Sequence, residues 1–371
     1  MAAVSTANDV PPYQVATLLN DFFAQTNSRI TCAQALGGEI YVGTSNGELF
    51  RFLLQPDGPE KLESYVIVSR QIVPGERPID SIVLVPSISR ALVQSDRQVH
   101  FYTLPSLEPH SVKPIRNVIT FAVDEQQVRR PPPSLNSALG YTTVPDPVDL
   151  CAIKRNGIAM FSLKDRLFYS REIPLPQGTN AVLARRTGRY VCFADHENYN
   201  IIDLEEAQLF PILPISQAPP ESTLKIKPHI TVISDNEFLI LSWTGASTLG
   251  LFITGNGDPV RGTLQWSSYP LGISLDYPYI TTLLPDGTIE VHSVESQSII
   301  QVIGPPGPSR PTSPSSPRSG AIAPSEAGTN TSQRLAMVAS VCGYQVPSSQ
   351  RAEHMKKVPV KLLRKPPSPI A

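Results

Sequence analysis

The chain has 371 residues, 38 of them proline, with 41% hydrophobic residues and a formal net charge of −1. Proline at about twice its usual ~5% share excludes a helical bundle or solenoid, since each proline inside a helix costs about 3 kcal/mol. The charge is uneven: from Pro305 onward there are nine Lys/Arg and two Asp/Glu, while the first 304 residues hold 22 basic and 30 acidic groups. An acidic body of this kind excludes general nucleic-acid binding, which needs a basic surface.

Residues 1–12 lack the basic and apolar regions of a signal peptide, and no run approaches the 18 apolar residues of a membrane span. Cys32, Cys151, Cys192 and Cys342 are scattered, with no C-x-x-C spacing. Each reads as a small hydrophobe in a strand, and four such cysteines fit a reducing, cytoplasmic compartment. The sequon Asn330-Thr331-Ser332 is then expected to be unused.

The body reads as strands joined by tight turns. Ile40 to Thr44, turning at Ser45-Asn46-Gly47 into Glu48 to Phe52, is a hairpin in which Asn-Gly supplies positive φ and Phe50 and Phe52 share a face. Ala91 to Val93 turns at Ser95-Asp96-Arg97 into Val99 and Phe101. Cys151 to Ile153 turns at Arg155-Asn156-Gly157 into Ile158 to Leu163. Tyr190 to Phe193 turns at His196-Glu197-Asn198 into Tyr199 to Leu204, and Phe238 to Trp243 turns near Gly245 into Leu249 to Ile253. Tyr279 to Leu284 turns at Pro285-Asp286-Gly287 into Thr288 to Val294.

The turn centres near 46, 96, 156, 197, 246 and 286 recur every 40–60 residues, the spacing of a four-stranded propeller blade. About 300 residues at roughly 42 each predict an all-β, seven-bladed β-propeller over 14–304, with a pair of β-sandwiches as the alternative. The long step from 96 to 156 contains Asp124 to Pro147, read as an inserted loop. Residues 305–334, with seven prolines and many serines, have too few apolar residues to order themselves. Ser313-Pro314 and Ser316-Pro317 in it are candidate phosphorylation sites, or an unmodified loop. Residues 335–371 are expected to return to the propeller, with Val358 to Leu363 as a last strand.

No catalytic, metal or cofactor site is expected. Gly43-Thr44-Ser45-Asn46-Gly47 matches the nucleophile elbow G-x-S-x-G, but an elbow runs from strand into helix, and here a strand follows. His100, His110, His196, His229, His292 and His354 show no metal-ligand spacing, and His196-Glu197 lacks the second histidine of H-E-x-x-H. Gly255 to Pro259 lacks the Lys-Ser/Thr of a phosphate loop, and Glu205-Glu206 reads as a solvated turn. Phe50, Phe101 and Trp266 are candidate core. The tail residues Lys356, Lys357, Lys361, Arg364 and Lys365 could meet acidic lipid or an acidic partner, or guard an edge strand against aggregation.

Taken in order, four elements carry a resemblance. They are Arg171 to Pro176; Gly188 to Phe193 with Tyr199 to Leu204; Leu251 to Trp266 with its Gly255–Arg261 turn; and Pro278-Tyr279-Ile280 with Ile289 to His292 and Gln301 to Ile303. With the opening Ile40-Tyr41-Val42-Gly43-Thr44 and Gly47, they resemble the citron homology (CNH) domain over residues 14 to 304. Within it, Gly343 to Arg351 and Lys357 to Leu363 are similar to the vacuolar-sorting tether subgroup, the TGF-beta-receptor-associated-protein-like subunits of CORVET and HOPS. That resemblance implies a non-enzymatic module that binds a small Rab-type GTPase and other tether subunits, peripherally on endosomal or vacuolar membranes. Such tethers carry an α-solenoid after the propeller. No helical-repeat text follows here, so a partial product or a free propeller is expected. A CNH module acting with a kinase or Rho-type exchange factor is the alternative, and a metal-dependent propeller hydrolase the third reading.

Overall fold

Tight turns after every five to nine residues force the chain to fold back on its immediate predecessor, which makes antiparallel meanders the natural unit. The computed structural model describes residues 16–17, 28–36, 39–55, 64–130, 145–219, 226–304, 338–340, 343–347 and 355–359. Before the first meander comes a short strand, β1 (Ala16–Thr17). Blade 1 is β2 (Ile30–Leu36), β3 (Glu39–Thr44), β4 (Glu48–Gln55) and β5 (Ser64–Ile72). Blade 2 is β6 (Ile79–Val85), β7 (Arg90–Ser95), β8 (Gln98–Thr103) and β9 (Ile115–Arg116). Blade 3 is β10 (Thr120–Val123), β11 (Val148–Ile153), β12 (Gly157–Leu163) and β13 (Leu167–Pro174). Blade 4 is β14 (Leu183–Thr187), β15 (Tyr190–Ala194), β16 (Asn198–Asp203) and β17 (Gln208–Pro214). Blade 5 is β18 (Ile230–Ser234), β19 (Glu237–Trp243), β20 (Thr248–Thr254) and β21 (Leu264–Trp266). Blade 6 is β22 (Gly272–Asp276), β23 (Tyr279–Leu283), β24 (Ile289–Ser293) and β25 (Ile299–Ile303).

The fold is thus an all-β propeller of six such blades, not the expected seven. The six hairpins read from the sequence are the middle pairs of these blades. The seventh came from dividing length by an average period, and the connections at 104–114, 124–147 and 215–229 consume that length without adding a blade. A seventh four-stranded sheet of different make pairs β1 with the C-terminal segment, in the order β1, β28 (Met355–Pro359), β27 (Gly343–Pro347), β26 (Val338–Ser340). Its β26 runs beside β2 and β22. The last strand is therefore Met355–Pro359, set earlier than Val358 to Leu363. It is no edge strand, because β1 and β27 pair with its two sides.

Burial follows position within a blade. The second strands β3, β7, β15 and β19 are buried nearly throughout, whereas the outer strands β13 and β25 are largely exposed. Second strands are sandwiched on both faces, so they carry short apolar runs such as Ile40-Tyr41-Val42 and Ala91-Leu92-Val93 instead of strict alternation. Five apolar clusters fill the wedges between successive blades. Tyr41 and Leu49 meet Ile82, Leu84 and Val93 between blades 1 and 2, and Leu239, Phe252 and Trp266 meet Ile280 and Val294 between blades 5 and 6. Phe50, Phe101 and Trp266 are all buried, as are Cys151 and Cys192, while Cys32 is half-buried and Cys342 lies outside the described residues. In blades 1, 3, 4 and 6 the outer pair shifts register by a β-bulge, at Arg51/Phe52, Met160/Phe161, Tyr199/Asn200 and Val291/His292. A bulge twists the edge strand and blunts it as a template for further pairing.

The tightest wedge lies between blades 5 and 6. The Trp266 indole N–H donates to Thr282 Oγ1 at 2.8 Å, and its ring meets the His292 ring at a tilt of 59°, centroids 4.9 Å apart. Gly250 opposite leaves room for that indole: a Cβ there would lie 2.7 Å from Trp266 Cζ3 and 3.2 Å from Leu239 Cδ1. Gly250→Ala should therefore destabilise the domain by about 1–3 kcal/mol, read as a lower urea midpoint at unchanged slope. Burial holds the His292 pKa down to about 4, against a smaller opposing pull from the Gln265 backbone. Folded His292 thus resists a proton that the unfolded chain accepts below its ordinary 6.5. Stability is complete above that value and falls as pH drops from 6.5 toward 4, by about 3 kcal/mol for the full shift. Glu290, 3.8 Å away and held above its ordinary pKa by burial and by Asp286, acts in the opposite sense. Urea titrations across this range should show a shallower pH slope for His292→Leu than for the wild type.

Candidate functional site

A propeller offers two broad faces for function. One carries the turns between second and third strands together with the blade-to-blade linkers; we term it the turn face. Its backbone is closely tied. Val73 N–H donates to Gly47 O at 2.8 Å, the Ser95 hydroxyl to Arg77 O at 3.0 Å, Val118 N–H to Arg97 O at 2.8 Å and Ile119 N–H to Ile153 O at 2.8 Å. Asp96 and Arg97 both take positive φ, 48° and 58°, the twisted two-residue turn that suits a hairpin.

The polar groups of the connections are occupied by the connections themselves. Ser45 sits in the blade 1 hairpin, where its hydroxyl accepts Arg29 N–H at 3.2 Å, with strand on either side and no helix. Thr254 Oγ1 accepts the N–H groups of Asn256 and Asp258, at 3.2 and 3.1 Å, two donors that a phosphate at Gly255–Pro259 would have needed. Asp203 caps the Glu205 and Glu206 N–H groups in their exposed turn. His100 and His292 are buried in strands, His229 Nε2 lies 3.0 Å from Pro270 O, and His110 and His196 are set apart from them on connections. Among the described residues no group of three or more His, Cys, Asp or Glu is placed to hold a metal ion.

The opposite face carries a feature the sequence reading missed. Where an inserted loop was expected from Asp124, the chain first makes one helical turn, α1 (Glu125–Val128). Asp124 caps it by accepting Gln126 N–H at 3.1 Å, and the same carboxylate accepts Gly188 N–H from blade 4 at 3.1 Å. Gln126 donates to Thr187 Oγ1 and to Asp235 O, at 3.2 and 3.1 Å. Just past the helix, Arg129 donates to Val232 O at 2.8 Å, reaching the inner strand of blade 5. Beneath them Arg186, buried, donates to Gly188 O at 2.9 Å and lies 3.7 Å from Asp149 and 3.5 Å from the Cys151 sulfur. Burial raises the Cys151 pKa, which leaves that thiol protonated and unreactive. One short segment thus straps blades 3, 4 and 5 together. Its signal was legible in Asp124 followed three residues later by Gln127, a capping-box spacing.

Two other surface features stand out. On outer strand β13, Phe168 and Tyr169 are about 60% exposed, and Tyr169 meets Phe161 edge-on at 5.7 Å. A cavity of about 450 Å³ opens between His196, Glu197, Asn198, Ile215, Ser216 and Ile226. Of the expected basic tail, Lys356 and Lys357 fall in β28, while Lys361, Arg364 and Lys365 lie outside the described residues, as do Ser313, Ser316 and all of 305–334.

Fold and surface together define a propeller whose polar groups serve its own turns and inter-blade straps, a scaffold that presents surfaces. The chain belongs to the family described as the VPS3 N-terminal domain, whose model matches residues 25–304. It is similar to transforming growth factor-beta receptor-associated protein 1 of Mus musculus, 26% identical over 282 residues, covering 74% of this chain and 30% of that protein. It is also similar to vacuolar protein sorting-associated protein 3 of Saccharomyces cerevisiae, 23% identical over 312 residues, covering 79% and 27%. The chain thus spans about three-tenths of the length of these relatives. Among solved structures, the AfRom2 CNH domain matches with a TM-score of 0.52 at 15% identity, over 90% of this chain and 94% of that one. A WD40 propeller domain of Doa1 matches with a TM-score of 0.51 at 12% identity, over 89% and 96%. The vacuolar-sorting resemblance read from the sequence is therefore met by the family, and the citron homology label by likeness of fold.

The strap makes a sharp prediction. Asp124→Ala removes both the helix cap and the acceptor of Gly188 N–H, and should cost about 2–4 kcal/mol in urea unfolding. Asp124→Asn keeps an acceptor oxygen and should cost less.

Proposed function

We propose that this chain is the propeller end of a vacuolar-sorting tether subunit, a non-enzymatic interaction module that recognises a small Rab-type GTPase at endosomal or vacuolar membranes. The observation that carries the proposal is the family match across 25–304, which takes in all six blades. The occupied turn polar groups fit a binding role. Among the described residues no helix is long and apolar enough to cross a membrane, so membrane contact is proposed to run through partners: the GTPase and other subunits of a CORVET-like or HOPS-like complex. We further assign the module to 14–304, with 305–334 as a Pro/Ser-rich linker and 335–371 returning to it. The alternative role beside a kinase or Rho-type exchange factor has only the 15%-identical CNH fold behind it.

Pull-down of the purified chain with endosomal Rab-type GTPases, loaded with a GTP analogue or with GDP, tests the proposal. Preferential retention of at least one GTPase in the GTP-analogue form is expected. Retention of none, or capture of a Rho exchange factor in its place, would refute it.

A further inference from the structure

The body is acidic, and several of its arginines are held by carboxylates. Arg51 bonds Glu39, Arg70 bonds Glu48, Arg189 bonds Asp203 and Glu205, and Arg261 bonds Glu237. Others have no such partner, and five of these are gathered on one face. Arg29, Arg77, Arg97, Arg116 and Arg155 are all exposed, and none has a carboxylate partner among the described residues. All five sit on the turn face of blades 1 to 3: Arg29 leads into β2, Arg77 is in the linker to blade 2, Arg97 is in the blade 2 turn, Arg116 closes β9, and Arg155 is in the blade 3 turn.

Their backbones are fixed. Arg29 O accepts Ser45 N–H at 2.9 Å, Arg77 O accepts the Ser95 hydroxyl, and Arg97 O accepts Val118 N–H. A guanidinium on a rigid turn loses little freedom on binding and forms two-pronged bonds with carboxylates or phosphates. An acidic chain that gathers five exposed arginines against three exposed carboxylates, Glu76, Asp80 and Asp96, on one face presents an anion-seeking surface there.

We propose that the turn face of blades 1 to 3 is a docking surface for an acidic protein face; this rests on the reading above, under which that partner is the GTPase. Glu76, Asp80 and Asp96, all exposed, are interleaved with the arginines. A bilayer of anionic lipid presents a uniform plane of negative charge that these carboxylates would repel. A protein face can set a lysine against each of them, and such mixed complementarity fixes register and partner choice.

The test uses the full chain carrying Arg77→Glu with Arg97→Glu, and as control Lys164→Glu with Arg166→Glu, in the blade 3 turn on the opposite face. Thermal unfolding confirms that each variant folds. Binding to a GTP-analogue-loaded endosomal Rab-type GTPase is measured at about 50 and about 300 mM salt, alongside sedimentation with phosphatidylserine vesicles. The expected result is an at least tenfold weaker GTPase affinity for the turn-face variant only, wild-type affinity that falls with salt, and vesicle sedimentation alike in all three proteins. Unchanged GTPase affinity in the turn-face variant would overturn the docking surface and leave the proposed function standing. Loss of vesicle sedimentation with GTPase binding retained would reassign the face to lipid. A wild-type chain that binds no GTPase would overturn both.

Discussion

Apolar contact between the faces of successive blades is the interaction on which this structure depends. A lone four-stranded sheet with two apolar faces cannot hide either of them, and stacking neighbours around an axis hides both. The second strands show the consequence: β3, β7, β15 and β19 are buried at nearly every position because they touch a blade on each side. The same demand explains Gly250, whose missing Cβ lets Trp266 enter the wedge and reach Thr282 across it. Interiors packed this closely tolerate little change in volume. Such a core resists acid only as far as its buried histidines stay neutral, which ties the packing of His292 to the pH range of the fold.

Apolar wedges are non-directional, so they fix contact without fixing angle. Polar bonds between blades supply direction. Tyr199 of blade 4 donates to Leu241 O of blade 5 at 2.7 Å, Gln34 of blade 1 accepts Leu84 N–H of blade 2 at 2.9 Å, and Arg129 spans from blade 3 to blade 5. Each pairs a group that burial would otherwise leave costly, by roughly 1–3 kcal/mol if unpaired. The Asp124 strap is the densest of these. It binds three blades at the point where the chain leaves β10 for a long connection to β11.

Local signals were legible in the sequence and long-range ones were not. Asn46-Gly47 and Asp286-Gly287 announced hairpins because glycine takes positive φ without strain, and Gly47 and Gly287 do take φ of 79° and 87°. Asp96-Arg97 turns without glycine, with positive φ at both residues, yet the flanking Val93 and Val99 marked it. Trp266 read as core because a large apolar residue between turns has few other places to go. The blade count failed because it is a sum over connection lengths, and those are free to vary. The strap failed differently. Its capping spacing was present, but nothing near Arg129 in sequence tells that Val232 O, some hundred residues on, is its acceptor. For the same reason the arginines of the turn face were invisible as a group: they are spread from 29 to 155, and only the topology collects them.

This division bears on how such a fold acquires function. Wedge and strap residues are committed to stability, and several turn hydroxyls and carboxylates to nearby N–H groups, as Thr254 and Asp203 are. What remains to be spent on a partner is charge carried on turns whose backbones are already fixed. Arg29, Arg77, Arg97, Arg116 and Arg155 meet that description, whereas Phe168 and Tyr169 lie on an outer strand away from the turns. A rigid array of guanidinium groups on an otherwise acidic body gains both encounter rate and selectivity from its field, because the rest of the surface repels the same partner.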